Sequence, residues 1–341
     1  MTDSLPSNRR TSAFERRVAR ALGPIEGRVL VAASGGADST ATLIAVARVL
    51  GAERVTAAHF DHRLRTPAEA ARDFDAVRDV AQRLDVLVAA GRAARRPGAP
   101  GERSEASARE ARYRWLARAC RQAGADVCVT GHTLDDQAET VLLRLTRGSG
   151  ALGAAGMRGE SDWPVPARGS RGLRLVRPLL GVTRVEVEAY LAALGVEPSW
   201  DASNDALDYA RNRVRLEVLP VLRAINERAT EHLAGFADAQ REDDEALTAQ
   251  ARAWVEAHAN IGRGVVTMSR RELRALPSAV AVRVLRESSQ RLGVHLESAH
   301  LEAILASLEK SGRSVDLPLA HSRTSGSLLE LRTRPSPSGT D

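Results

Sequence analysis

The feature that most constrains the fold is an alternation running through residues 1–150. Short apolar, β-branched runs are each followed by an amphipathic run of helical length. Arg28–Ala33 reads as a buried strand and Asp38–Leu50 as the helix after it. Val55–Phe60 is a second strand, and Thr66 caps a helix that has Pro67 at its first position and runs to about Leu84. Val86–Ala89 is a third strand, and the Gly-, Pro- and Arg-rich stretch Arg92–Arg103 is a loop. Ser104 caps a helix ending at Gly124, Val127–Thr130 is a fourth strand, and Thr133 opens a helix to about Arg147. This rhythm predicts an α/β fold, a parallel doubly wound sheet with helices on both faces. Ligands of such sheets lie at the carboxyl ends of the strands, here just after Ala33, Phe60 and Thr130.

Beyond this point the pattern changes. Gly148–Arg177 reads as loop with one strand, Leu173–Val176, and Thr183 with Glu186 forms a capping box for a helix ending at Gly195. Asp201–Arg215 is a polar loop entering a helix, and Leu219 to about Ala257 is helical and acidic, a connecting arm. Residues 270–310 hold further helices. Val315–Leu317 and Leu328–Leu331 alternate like short strands around Gly326, a hairpin. The expected organisation is a tail and helix over 1–24, with the first dozen residues loose, then a catalytic domain over 25–217. A helical linker over 218–258 and a small α+β domain over 259–335 complete it. No run has the length of a membrane span, and Met1–Arg20 has no secretory apolar core. A cytoplasmic location is expected.

Lys310 is the single lysine among 49 basic residues. A phosphate-binding lysine of the GxxxxGK[ST] type and a Schiff-base lysine are therefore excluded from the N-terminal half. Phosphate must be held there by backbone amides, arginine or metal. Cys120 and Cys128 are the only cysteines, and their spacing is not that of a zinc site, so they read as small buried side chains. The formal net charge is +6, and Arg144–Arg184 holds eight arginines against Glu160 and Asp162. That density points to a polyanionic partner; the alternative is a solvated arginine-rich loop.

Ser34-Gly35-Gly36-Ala37-Asp38-Ser39 lies directly between the first strand and its helix. Two glycines allow a tight turn and close backbone approach to a ligand. Successive amides at a positive helix end form a nest for phosphate, and Ser34 and Ser39 add hydroxyls. Asp38, being anionic, would hold a Mg²⁺ ion on the phosphates. The bland alternative is an ordinary capped strand–helix turn.

This hexapeptide resembles the pyrophosphate loop of the PP-loop ATP-pyrophosphatase superfamily, whose members cleave ATP between the α- and β-phosphates and transfer AMP. The fold implied is that of the adenine nucleotide alpha hydrolases. Four further motifs narrow the resemblance. His59-Phe60-Asp61-His62-Arg63-Leu64-Arg65 follows the second strand, and Gly131-His132-Thr133-Leu134-Asp135-Asp136-Gln137-Ala138-Glu139-Thr140 follows the fourth. Ser107-Ala108-Arg109-Glu110-Ala111-Arg112-Tyr113-Arg114 lies between them. Asp208-Tyr209-Ala210-Arg211-Asn212-Arg213-Val214-Arg215 comes later, followed by Leu219-Pro220. Together, over about 28–220, they resemble the tRNA(Ile)-lysidine synthetase family. Two departures stand out. Thr133 occupies the place of a second histidine found in many members, and only one small domain follows the helical arm where longer members add another.

The resemblance implies a ligase that adenylates the wobble cytidine of a CAU-anticodon tRNA(Ile) with ATP and Mg²⁺. L-lysine then replaces AMP, forming lysidine and changing decoding from methionine to isoleucine. It also implies a homodimer. In its terms Ser34–Ser39, His59, His132 and Arg109 contact ATP, Asp38 holds the metal, and Arg112 stabilises the adenylate. Arg109 and Arg112 are three apart on one helix face, so both can reach a phosphate; the alternative is a solvated face. A lysine ε-amine arrives protonated and needs a carboxylate to hold it and accept a proton. Asp136 and Glu139 share a helix face; Thr133 and Asp136 also form a capping box, and the resemblance assigns both carboxylates to lysine. Arg211 would meet the lysine carboxylate or the adenylate phosphate, with Arg213 left open. His59, Asp61 and His62 suggest a metal site, though a structural loop is the better reading. Arg147, Arg168, Arg171 and Arg174 are the candidate tRNA contacts, together with the C-terminal domain.

Three rivals remain. A PP-loop tRNA thiolase needs reactive cysteines, and no CxxC exists. An amide synthetase of the superfamily needs a glutaminase cysteine. A non-catalytic nucleotide- or RNA-binding module needs only the loop.

Overall fold

The structure, a computed structural model, describes residues 5–63, 66–94, 105–148, 150–199 and 210–334. Leu64, Arg65, Ser104, the 95–103 part of the arginine-rich loop, and 201–209 of the polar loop, with Asp208 and Tyr209, lie outside them.

The chain begins with α1 (Arg9–Leu22), whose first amides are capped by the Asn8 side chain. Phe14, Val18 and Leu22 recur every four residues and make one buried stripe. Leu5 is buried in the same core. The loose tail expected over the first dozen residues is therefore corrected: an apolar anchor and a capped helix occupy residues 5–12.

β1 (Arg28–Ala32), α2 (Ala37–Leu50), β2 (Val55–Asp61), α3 (Pro67–Leu84) and β3 (Leu87–Arg92) follow in the expected alternation. α4 (Glu105–Ala123), β4 (Ala125–Val129) and α5 (Leu134–Thr146) continue it. α6 (Ala151–Ala154), β5 (Glu160–Asp162), β6 (Arg174–Val176) and α7 (Arg184–Leu194) complete the sheet domain. The strand order is β3-β2-β1-β4-β6-β5, parallel except for β5, which runs antiparallel to β6. This edge strand was not expected. It is three polar residues long, without the apolar alternation that marks a strand in sequence, and it exists because β6 offers an unpaired edge.

The sheet is covered on both faces, as a doubly wound fold requires. Val29, Val31, Val127 and Val129 point into one core with α1, α2 and α7. Leu30, Cys128 and Leu175, one residue out of phase, point into the other with Tyr113 and Leu116 of α4. α2 is buried from Ser39 to Ala47.

The arm does not form one helix. α8 (Ala210–Arg213), a π-helical turn (Val214–Val218) and α9 (Leu219–Ile225) are followed by a break at Asn226 and then α10 (Ala229–His258). Asn226 is extended, and its side chain accepts from the Arg228 amide, a local bond that competes with helix continuation.

The chain divides into two compact units, Met1–Asp238 and Ala239–Asp341. The second holds β7 (Ala259–Gly262), β8 (Val265–Ser269), α11 (Arg270–Ala275), α12 (Ser278–Arg291) and α13 (Ser298–Ser307). β9 (Ser314–Leu317), β10 (Ala320–Ser325) and β11 (Leu328–Thr333) finish it. Its antiparallel sheet has the order β7-β8-β11-β10-β9, and its core includes Val266, Met268, Leu285 and Ile304. The hairpin expected around Gly326 pairs β11 with β10, not with Val315–Leu317, which forms β9 on β10's other edge.

Candidate active site

Residues after the carboxyl ends of β1, β2, β4 and β6 converge with the N-termini of α2, α5 and α7. Gly35 has φ +97, and a Cβ there would lie 2.8 Å from the Asp73 carbonyl oxygen of α3. Glycine is thus required twice, by backbone conformation and by close approach. Ser199 braces the same turn: its amide donates to the Gly35 carbonyl at 3.0 Å and its hydroxyl to Asp73 at 2.8 Å. A Cβ at Gly36 would meet only Ser34 Oγ, at 3.7 Å, so the concave side of the loop is open.

The hydroxyls of Ser34 and Ser39 lie 3.0 Å apart, and Ser39 Oγ accepts from the Ser34 amide and donates to the Gly36 carbonyl. No side chain caps α2, so its first amides keep their donors for a ligand. Gly131, after β4, passes close behind: a Cβ there would lie 2.7 Å from the Asp38 carbonyl oxygen.

Asp38 Oδ2 meets Arg184 Nη2 at 3.2 Å, while Oδ1 is buried with no hydrogen-bond partner. Burial raises the Asp38 carboxyl to about 6, against the pull of Arg184. An orphaned, costly carboxylate oxygen beside free amides fits a cation held jointly by Asp38 and phosphate. Among the described residues no cluster of three or more His, Cys, Asp or Glu forms another metal site.

Asp136 reconciles its two readings. Oδ2 accepts from the Thr133 amide at 2.8 Å, completing the capping box, while Oδ1 accepts from Arg211 at 3.0 Å. Glu139, fully buried, takes Arg211 Nε at 2.7 Å on Oε2 and Arg215 Nε at 2.6 Å on Oε1. Arg211 and Arg215, four apart around the π-helical turn, clamp both carboxylates. Arg213 turns away and pairs with Glu217. Burial raises the Asp136 carboxyl, but Arg211 and the Thr133 amide outweigh it and hold the group below its ordinary value.

Asp135 joins the halves of the site. Its Oδ2 accepts the Arg184 amide at 2.8 Å and its Oδ1 meets Arg223 of α9 at 2.5 Å. His132 Nδ1 lies 2.9 Å from Thr130 Oγ1, and burial lowers its pKa to about 3, so it is neutral. His59 is buried with Nδ1 3.1 Å from the Ala33 carbonyl, at the base of the loop. Asp61 accepts from the Arg63 amide and pairs with Arg92, and His62 packs on Phe60. Arg109 and Arg112 come together over Tyr113, their Cζ atoms 4.9 and 5.2 Å from its ring centre. Arg147, Arg168, Arg171 and Arg174 are exposed; Arg174 pairs with Glu160.

The sequence reading gave Arg184, Arg215, Arg223 and Asp135 no individual role. Arg184 carried a signal: a cation at the first position of a helix opposes the dipole and calls for a nearby anion.

The PP-loop domain family matches residues 10–222. A tRNA(Ile)-lysidine synthase of Gloeobacter violaceus is 39% identical over 323 residues, covering 91% of this chain and 92% of that protein. One of Salinispora arenicola is 41% identical over 317 residues, covering 86% and 87%. One of Symbiobacterium thermophilum is 38% identical over 308 residues, covering 85% of this chain and 62% of its own length. The chain thus spans less than two thirds of that last relative and nearly all of the first. A U34-tRNA thiolase from Methanococcus maripaludis, solved with its [4Fe-4S] cluster, shares the fold at a TM-score of 0.55 and 15% identity, covering 68% of this chain and 79% of its own. Loop, carboxylates, arginines and sequence kinship agree: the chain belongs to the tRNA(Ile)-lysidine synthase family of PP-loop proteins.

Proposed function

We propose that this chain is an ATP-dependent ligase that adenylates the wobble cytidine of tRNA(Ile) and replaces AMP with L-lysine. The observation that carries the reading is the placement of a buried, arginine-clamped carboxylate pair, Asp136 and Glu139, on the helix next to the open phosphate loop.

The first step is attack by the cytosine carbonyl oxygen on the α-phosphorus. The α2 amides and the Ser34 and Ser39 hydroxyls bind the departing diphosphate. Arg184 sets the Asp38 carboxylate toward the loop, and Asp38 would hold Mg²⁺. When bound, that ion neutralises charge on the diphosphate. Arg112 stabilises the adenylate, with Arg109 beside it, and neutral His132 offers a hydrogen bond to the nucleotide without adding charge.

In the second step the lysine ε-amine attacks carbon 2 and AMP leaves. Asp136 and Glu139 hold the ammonium, and one of them accepts its proton. Arg211 and Arg215 occupy these carboxylates, so lysine must insert between the partners. Its α-carboxylate then takes a guanidinium, and its ammonium takes the released oxygen. Each charge trades one partner for another, so buried charge is never left unpaired.

A thiolase reading lacks chemistry. Cys120 and Cys128 are both buried, and the hydrogen bond the Cys128 thiol makes to Cys120, with burial, pushes that thiol well above its ordinary value. Mass analysis of a CAU-anticodon tRNA incubated with ATP, Mg²⁺ and lysine tests the proposal. A gain of lysine at the wobble cytidine with AMP release is expected. Pyrophosphate release without lysine incorporation would overturn the ligase assignment.

A further inference from the structure

The first two turns of α5 carry three buried carboxylates, and the arm meets each of them with arginine. Asp136 and Glu139 take Arg211 and Arg215. Asp135 takes Arg223, near the end of α9, at 2.5 Å. Arg223 is held at a second point: its Nε donates to Thr230 Oγ1 at 2.9 Å. Thr230 is buried in the first turn of α10, on the far side of the break at Asn226. One guanidinium thus joins α5, α9 and α10 across the point where the helical pattern is interrupted. Asp135 takes no part in the capping box, which Thr133 and Asp136 complete between them. Its second oxygen is fixed by the Arg184 amide, so the acceptor for Arg223 is itself held in place.

Apolar packing does little for this end of the arm. Val214 and Leu219 are buried in a small cluster with Ala138 of α5. Between Leu219 and Ala234 no apolar side chain is buried, and Val221 and Ile225 are exposed. The charged pairs therefore set where the arm lies on α5. An exposed ion pair is ordinarily worth little, because water and side-chain freedom compete with it. Here the carboxylate is buried and the guanidinium is oriented by its second bond, so the pair holds one geometry.

The three arginines differ in what an entering ligand does to them. A molecule with an ammonium and a carboxylate that inserts at Asp136 and Glu139 opens the Arg211 and Arg215 pairs, the arm's charge contacts at its amino end. Arg223 keeps its partner, because Asp135 is engaged by Arg184 and Arg223 and not by the clamp. A clamp guanidinium offered to the ligand carboxylate stays within reach only if the segment bearing it stays docked. Holding that segment in advance lowers the entropy lost on binding.

We propose that Arg223 is a positioning residue for the second substrate: its bond to Asp135 keeps the arm docked on α5 while the clamp of Arg211 and Arg215 opens to admit lysine. The inference rests on the ligase reading above and adds to it the part that holds the lysine pocket together in its open state. Arg223 touches no reacting atom; it acts through the placement of Arg211 and Arg215.

The test uses the full chain with unmodified CAU-anticodon tRNA, ATP and Mg²⁺, and reads the two steps separately. Adenylate formation is timed without lysine, and lysine incorporation is then followed against lysine concentration. Arg223→Gln should raise the lysine KM about tenfold or more. The rate of adenylate formation, and kcat at saturating lysine, should stay near wild type. Thr230→Val removes only the hydroxyl that orients Arg223 and should raise the lysine KM by less; it carries the test alone if R223Q fails to fold. Arg213→Gln, at the surface pair with Glu217, should leave both steps unchanged. An equal rise in R213Q would make the effect one of net charge and overturn the proposal. Parallel losses in both steps of R223Q would mean a general brace of the fold, and an unchanged lysine KM would mean no role; either overturns it. Hydrogen exchange over 210–225 keeps the two readings apart. If wild-type protein adds no lysine to tRNA, the ligase reading fails. Faster exchange there in R223Q, with β1 and α2 unchanged, then leaves the docking role standing, and equal exchange ends it as well.

Discussion

Asp38→Asn is expected to make the protein more stable and catalytically inert. Asp38 Oδ1 is buried without a partner, and its other oxygen has only a 3.2 Å contact to Arg184. Burial outweighs that contact and raises the carboxyl from 3.8 to about 6. The folded state therefore keeps its proton to higher pH than the unfolded chain does. Ionisation is penalised in the fold, fully so above about pH 6 and not at all below 3.8. Forcing the charge on the fold at pH 8 costs about 3 kcal/mol. Asparagine has the shape of the protonated acid and carries no such cost, so Asp38→Asn should stabilise the first unit by up to that amount at pH 8. The gap should close as pH falls from 6 toward 4. Hydrogen exchange in β1 and α2 under mild denaturant reads this unit alone. Mg²⁺ with ATP should add stability to the wild type and little to the variant. A variant no more stable than wild type at pH 8, or a gap independent of pH, would refute the reasoning.

Three other outcomes are expected. Glu139→Gln should abolish lysine incorporation while the tRNA adenylate still accumulates, and should lower stability by about 3 kcal/mol because Arg211 and Arg215 lose a buried partner; normal incorporation would remove Glu139 from lysine handling. Gly35→Ala, with φ +97 and a Cβ 2.8 Å from the Asp73 carbonyl, should cost about 2 kcal/mol or more and weaken ATP binding, read by thermal melting with and without ATP. His132, held near 3 in the fold, takes up a proton on unfolding below 6.5. Its contribution to stability is complete above 6.5 and is lost as pH falls toward 3, so His132→Gln should flatten that acid limb in urea titrations.

Much of the first unit was legible because its signals are local. Thr66 and Thr183 cap the helices expected of them, each with a glutamate three residues on. The Ser34–Ser39 loop stands between strand and helix as its glycines require. What misled was structure without a local signature. Glu160–Asp162 becomes a strand through its neighbour's edge, and Ala259–Gly262 with Val265–Ser269 add two more to the second sheet. Asn226 interrupts an otherwise continuous helical pattern through one side-chain bond.

The same division runs through the site. Periodicity, capping residues and glycine conformations act within a few residues, so the chain alone determined the alternating sheet, the phosphate loop and the helix face that joins Asp136 to Glu139. It favoured Arg211, left Arg213 open and gave Arg215 no role, although the three are equivalent cations at alternate positions. The π-helical turn rotates the first and third onto the buried Glu139 and sends the second to Glu217 on the surface. Asp135 meets Arg184 and Arg223 from 49 and 88 residues away. Side-chain chemistry names which charges can pair; only the packing of helices against the sheet brings a given pair within reach and removes the water that would otherwise separate them.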